Sequence, residues 1–263
     1  MRKAVFLDID GTLLDCFGGM QEISQKVKES IQVLQSRGDK VFIATGRPYA
    51  FLSKAIREFG FDGFVLANGA HVIINNETVH SKPINSKFIQ QLVSTLESKN
   101  IQYVLESDRY SYIKENHKEL YDFYGNIGIS KKYIKSSYNV EELHIHKVEM
   151  LCPTKDDLNH CINFIDTHQE YGYFNSIKDI HLELYFKENT KASGILKALE
   201  YLNIPIENTY AFGDGTNDIE MLSTVGCGIA MGNASDEVKK YANKITETVQ
   251  NDGVAIGIEK YII

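Results

Sequence analysis

The chain has no excess of basic residues: 28 Lys and Arg stand against 35 Asp and Glu, a formal net charge of −7. Nucleic acid and anionic membranes both attract a basic face, so this balance argues against either as a partner. Cysteine is sparse, with four in 263 residues. Cys16, Cys152, Cys161 and Cys227 form no C-x-x-C pair, which fits reduced, mostly buried thiols in a cytoplasmic protein rather than a metal or disulfide framework. No apolar run approaches the roughly 20 residues of a membrane span. The first residues enter a strand-like run almost at once, leaving no room for a signal peptide. Repeats, low-complexity tracts and Gly/Ser linkers are also missing. What is present is 43% hydrophobic residues, enough for a core, and a length that suggests two compact units.

Asp8-Ile9-Asp10-Gly11-Thr12 is the stretch that carries chemistry. The apolar run Ala4-Val5-Phe6-Leu7 before it lacks helical spacing and reads as a buried parallel strand. Open α/β sheets bind ligands at the carboxyl ends of such strands. Asp8 and Asp10 are two apart, so on an extended segment their side chains point the same way. Like charges that close repel unless a cation or a reaction needs both, although Asp and Gly also favour plain turns at strand ends. Tyr210-Ala211-Phe212-Gly213 repeats the pattern and ends in Asp214-Gly215-Thr216-Asn217-Asp218. A third edge, Val41-Phe42-Ile43-Ala44, ends in Thr45-Gly46-Arg47-Pro48. There Pro48 suits a first helical turn, and Thr45 and Gly46 offer a hydroxyl and backbone N–H groups. Lys191 begins the amphipathic stretch to Leu202. Carboxylates, Thr, Lys and Asn at the ends of parallel strands are the parts of a magnesium-dependent phosphate site.

These residues resemble, in order, the four motifs of the haloacid dehalogenase superfamily: D-x-D-G-T at Asp8 to Thr12, the threonine Thr45, the lysine Lys191, and G-D-x-x-N-D at Gly213 to Asp218. The T-G-R-P at Thr45 to Pro48 and Ala67-Asn68-Gly69-Ala70 after the third strand are similar to the Cof-type subgroup with a type IIB cap. The resemblance implies an α/β fold, a Rossmann-like parallel-sheet core with an inserted α+β cap that closes over the active site and sets specificity. It implies that Asp8 is a nucleophile forming an aspartyl phosphate. Asp10 then protonates the leaving alkoxide and later takes a proton from the attacking water. Mg2+ is expected on Asp8, Asp214 and the backbone carbonyl of Asp10, with Asp218 ligating through water or bracing the others. Thr45, the N–H groups of Gly46 and Ile9, Asn217 and Lys191 are expected to hold phosphoryl oxygens.

The expected function is hydrolysis of a small phosphate monoester, a sugar phosphate or similar metabolite, by a cytoplasmic monomer or weak homodimer. A phosphomutase would use the same residues and need a bisphosphate activator. A receiver-type signalling domain lacks an acid like Asp10 and has no cap. A non-catalytic metabolite-binding protein has no need of Asp8, Asp10 and Lys191 together. Residues 1–82 and 187–263 alternate strand and helix and form the expected core, with Asn75-Asn76 as a tight hairpin turn. Residues 83–186 read as the inserted α+β cap. Arg47 and Asn68 are weaker candidates for substrate contact. His181 and Glu183, which alternate with Tyr185 on one strand face, are also weak candidates for substrate contact, but a solvated strand face is the preferred reading of that pattern. His144 and His146, two apart on an expected strand, could ligate a metal but have no third ligand nearby in sequence, so a structural role is preferred, and the aromatic richness of 103–124 reads as cap core.

Overall fold

A computed structural model of the chain describes residues 2–15, 18–126, 129–176 and 180–263; Cys16 lies outside them. They divide into two compact units, one made of Met1–Gly46, Lys54–Ser81 and Thr190–Ile263, the other of Arg47–Ser53 and Lys82–Asn189. In chain order the strands of the first unit begin with β1 (Ala4–Leu7), β2 (Lys40–Ala44), β3 (Gly63–Leu66), β4 (His71–Ile74) and β5 (Glu77–Ser81). The second unit holds β6 (Gln102–Glu106), β7 (Ser111–Ile113), β8 (Ile134–Lys135), β9 (Lys147–Leu151), β10 (Tyr171–Ser176) and β11 (His181–Phe186). The chain then returns to the first unit with β12 (Thr209–Gly213), β13 (Cys227–Ala230) and β14 (Lys244–Ile245).

The first sheet runs β14-β13-β12-β1-β2-β3-β4-β5. Its strands from β14 to β3 pair in parallel, and β4 and β5 add an antiparallel hairpin. Asn75 and Asn76 turn that hairpin with φ of 52° and 66°, the left-handed pair that a twisted two-residue hairpin requires. All four residues of β1 are buried, as a central parallel strand covered on both faces demands. Phe6 stacks on Phe42 with ring centroids 5.1 Å apart. Helices α6 (Lys191–Leu202) and α7 (Ile219–Thr224) add Ile195, Ala198, Leu199, Met221 and Leu222 to this core. Burying each large apolar side chain contributes roughly 1.5–3 kcal/mol, so β1 is anchored firmly and its exit is held in place.

The second sheet runs β10-β11-β9-β6-β7-β8, antiparallel except between β7 and β8. Helices α3 (Ser86–Ser98) and α5 (Lys155–Ile165) cover one face, where Phe88, Leu92 and Ile165 meet Tyr103, Leu105, Val148, Met150 and Leu184. Tyr103, Leu120 and Tyr124 in the aromatic-rich stretch are buried in this unit, whereas Tyr110 is exposed.

Several sequence expectations are corrected here. Residues 47–53 belong with the second unit, because Ala50 and Phe51 join Val104, Ile113, Leu120, Tyr124 and Leu151 in one apolar cluster. Pro48 is extended (ψ 166°) and precedes a single 3-10 turn, Tyr49–Phe51, so the continuous helix expected after it is broken before α2 (Lys54–Glu58). His146 precedes β9 rather than lying in it, and both His144 and His146 sit 3.6 Å from Asp108. His181 is buried against the Phe123 ring, centroids 4.9 Å apart, and Glu183 pairs with Lys147 at 3.1 Å. Their strand face is therefore not a solvated one. No helix among the described residues is long and apolar enough to cross a membrane.

On that face Lys147 Nζ also lies 3.4 Å from Glu106 and 3.1 Å from Glu149, and Tyr124 donates to Glu149. Burial, with Glu183 adding to it and Lys147 opposing, pushes Glu106 up to about 7. Glu149 is raised too, by burial and by the charges of Glu106 and Glu183. The folded chain thus holds protons that the unfolded chain has released above the ordinary carboxylate range. The corresponding stability is complete below that range and is lost as pH rises through about 7. Hydrogen-exchange protection factors in β6, β9 and β11, corrected for the intrinsic pH dependence of exchange, should fall over this interval, and Glu106→Gln should flatten the dependence. Protection factors independent of pH in the wild type would refute the assignment.

Candidate active site

Four strand exits of the first unit, those of β1, β2, β3 and β12, build the site. β1 ends at Leu7, so Asp8 and Asp10 do not share one extended face: Asp8 is buried while Asp10 is exposed on the following turn. The Asp8 N–H donates to the Phe212 carbonyl of β12 at 3.1 Å, tying the two acidic loops together. Gly11 has φ 82°, and a Cβ there would stand 2.1 Å from Asp214 Oδ2, so only glycine lets the first loop pass the second. Thr12 Oγ1 donates to Asp214 Oδ1 at 3.1 Å.

Lys191 is the hub. It is the first residue of α6, whose start is capped by Thr190 and Ser193 reciprocally, a place where the helix dipole disfavours a cation. Two carboxylates compensate: Nζ donates to Asp8 Oδ1 and to Asp218 Oδ1, each at 2.6 Å. The lysine is only 1% exposed, and the paired charges raise its pKa against the effect of burial. Asp218 accepts two further hydrogen bonds, from the N–H groups of Asp214 (3.0 Å) and Gly215 (2.9 Å). It therefore shapes the loop that carries Asp214 and Asn217.

The carboxylates of Asp8, Asp214 and Asp218 offer oxygens within 4.8 Å of one another. Burial first, then the charges of neighbouring acids, lifts Asp8 well above the usual carboxylate range even though Lys191 pulls it down. Burial and Asp218 raise Asp214 to about 6. Crowded, dehydrated oxygen ligands of this kind fit a hard divalent cation, which relieves both penalties. Asp10 is not part of this carboxylate group.

The β2 and β3 exits complete the unit. Thr45 is buried, its N–H donates to Val65 O at 2.9 Å, and its carbonyl accepts from the Asn68 N–H at 3.1 Å. Ala67 and Asn68 are both left-handed, with φ of 48° and 52°, and Asn217 Nδ2 donates to Asn68 Oδ1 at 3.2 Å. Asp8, Ile9, Asp10, Thr45, Gly46, Asn68, Lys191, Asp214, Asn217 and Asp218 thus all belong to the first unit. Arg47, His181 and Glu183 belong to the second; Arg47 donates to the Phe51 carbonyl at 3.3 Å.

Sequence reasoning passed over Asn233. Its Nδ2 donates to the Gly11 carbonyl (2.8 Å) and to Asp214 Oδ2 (3.3 Å), while its Oδ1 accepts from Val249 N–H (2.9 Å). The signal was available: β13 exits into Met231-Gly232-Asn233, another strand ending in a polar turn. Gly194 was also passed over. A Cβ on it would lie 2.6 Å from Gly69 Cα and from Val65 Cγ1, so the third loop packs directly on the helix that seats Lys191. Gly194→Ala should cost about 1–3 kcal/mol by overpacking and lower activity by displacing Lys191. Urea unfolding and steady-state rates would check this, and an unperturbed variant would contradict it.

Comparisons with known proteins agree with this geometry. The haloacid dehalogenase-like hydrolase family matches residues 5–258. Among curated proteins of Bacillus subtilis (strain 168), the 5-amino-6-(5-phospho-D-ribitylamino)uracil phosphatase YitU is 31% identical over 269 residues, covering 98% of this chain and 96% of that protein. Phosphatase YwpJ is 26% identical over 280 residues, covering 96% and 97%. Among solved structures, a protein of Geobacillus kaustophilus HTA426 superposes with TM-score 0.87 at 29% identity, covering 99% of this chain and 98% of the other. The subclass IIB sugar phosphatase BT4131 superposes with TM-score 0.77 at 25% identity, covering 98% of each. The match of motif residues, site geometry and nearly full-length similarity places the chain in one family: it belongs to the haloacid dehalogenase-like hydrolases.

Proposed function

We propose that the protein is a Mg2+-dependent phosphatase that hydrolyses small phosphate monoesters, sugar phosphates or related metabolites, through an aspartyl phosphate on Asp8. The observation that carries this reading is the seating of Lys191 between Asp8 and Asp218 with Asp214 alongside. A nucleophile, a buried cation and a carboxylate group for a metal meet at one strand exit. Uncatalysed hydrolysis of phosphate monoesters is extremely slow, so the site must supply a nucleophile, charge neutralisation and a proton for the leaving group.

Asp8 attacks phosphorus and splits one difficult displacement into two. Lys191, Thr45, Asn217 and the backbone N–H groups of Ile9 and Gly46 hold the equatorial oxygens. Exposed Asp10 gives its proton to the departing alkoxide and then takes one from the water that attacks the intermediate. Asp8, Asp214 and the Asp10 carbonyl, with Asp218 in support, would hold Mg2+, which would supply positive charge to the transferring phosphoryl group. The second unit selects the alcohol, since the side chains assigned in the first unit are committed to the phosphoryl group and the metal. The names of YitU, which acts on a ribityl phosphate, and of the sugar phosphatase BT4131 favour a polyhydroxylated substrate.

The test is phosphate release from a panel of phosphorylated metabolites with Mg2+ and with EDTA. Turnover that stops with EDTA and returns with Mg2+ is expected. Turnover indifferent to EDTA, or a strict need for a bisphosphate activator, would favour a metal-independent reaction or a mutase respectively.

A further inference from the structure

The turn after β13 supplies a side chain that touches both acidic loops of the first unit without being one of their carboxylates. Asn233 is exposed, yet its amide makes three directed hydrogen bonds. The Oδ1 accepts from the Val249 N–H at 2.9 Å, and that bond decides which end of the amide faces the site. The Nδ2 is thereby turned toward two acceptors, the Gly11 carbonyl at 2.8 Å and Asp214 Oδ2 at 3.3 Å. Asparagine suits the position because it accepts at one end and donates at the other; an aspartate would set oxygen against oxygen at both Gly11 and Asp214.

The two bonds from Nδ2 fix different things. Asp214 accepts from Thr12 Oγ1 on Oδ1 and from Asn233 on Oδ2. One donor on each oxygen sets the plane of the carboxylate and leaves each oxygen a lone pair for a cation. Gly11 is held on both sides: its N–H donates to the Leu14 carbonyl at 2.7 Å, and its carbonyl accepts from Asn233. Because a peptide unit is planar, the Gly11 N–H bond also fixes the plane that carries the Asp10 carbonyl. Asn233 is itself firmly seated. The Gly232 N–H donates to the Glu247 carbonyl at 3.0 Å, and Lys239 Nζ donates to the Gly232 carbonyl at 2.7 Å.

We propose that Asn233 is a positioning residue for the divalent cation: it holds Asp214 and the Asp10–Gly11 peptide in the arrangement that receives Mg2+, and acts only through them. This rests on the Mg2+-dependent phosphatase reading given above. Partners that orient metal ligands in this way are worth roughly 10–100-fold in metal affinity or activity.

The test titrates the metal-free, full-length protein with Mg2+ by calorimetry and follows p-nitrophenyl phosphate turnover against Mg2+ concentration. Asn233→Ala and Asn233→Ser should each raise the Kd for Mg2+ by roughly 10–100-fold. Turnover should need correspondingly more Mg2+, while kcat recovers once the metal saturates. The metal-free thermal midpoint should stay near that of the wild type, because the side chain is exposed. In the wild type the side-chain amide resonances of Asn233 should shift as Mg2+ binds, a readout that needs no variant. A Kd within about twofold of wild type, a lowered midpoint at unchanged Kd, or an amide signal indifferent to Mg2+ overturns the proposal and leaves the phosphatase reading standing. A wild type that binds no Mg2+ and whose turnover ignores EDTA overturns the Mg2+-dependent reading itself, and the proposal with it.

Discussion

Asp8→Asn should release no phosphate above background from any monoester and accumulate no phosphoenzyme. Asparagine keeps the size of the side chain but is a far weaker nucleophile, and among the described residues Asp8 is the only carboxylate both buried at the β1 exit and bonded to Lys191. Asp10→Asn behaves differently, because the nucleophile survives: both half-reactions slow by the roughly 10²–10⁴-fold that acid–base assistance contributes. Aryl esters, whose leaving groups need little protonation, are affected least in the first step. Rapid-quench trapping of the phosphoenzyme separates the two variants. Near-normal turnover by Asp8→Asn would assign the nucleophile elsewhere.

Lys191→Met should destabilise the protein more than any surface change. The lysine is buried and bonded to two carboxylates at 2.6 Å each. Removing one member of a buried charge group strands the others, at a cost of about 3–5 kcal/mol. In urea the midpoint should fall at unchanged slope. Asp8 is already raised by burial, and without the ammonium it rises further. The folded variant therefore binds more protons than the unfolded chain, so its deficit narrows as pH falls and widens as pH rises. A midpoint within about 1 kcal/mol of wild type would mean that Lys191 is not the hub of the charge group.

The strand exits were legible because a parallel strand covered on both faces must be apolar along its length and polar only where it ends. β1, β2 and β12 each print that change of character locally, and Asp8, Thr45 and Asp214 follow it. The turn at Asn75-Asn76 was readable for the same reason, since its signal lies within a few residues. The placement of Arg47 was not, because the packing of Ala50 and Phe51 against Val104, Leu120 and Tyr124 depends on contacts distant in sequence. The burial of His181 and the pairing of Glu183 followed from strand register that no local period encodes.

Local sequence thus placed Asp8, Asp10, Asp214 and Lys191 at strand exits and a helix start, since each position depends on short-range patterning of apolar and polar residues. Tertiary structure alone decided that Lys191 bridges Asp8 and Asp218, that Asn233 clamps Asp214, and that Glu106, Lys147, Glu149 and Glu183 share one sheet face. Those are charge and hydrogen-bond relations between residues far apart in the chain, and only the pairing of strands and the packing of helices brings their atoms within reach.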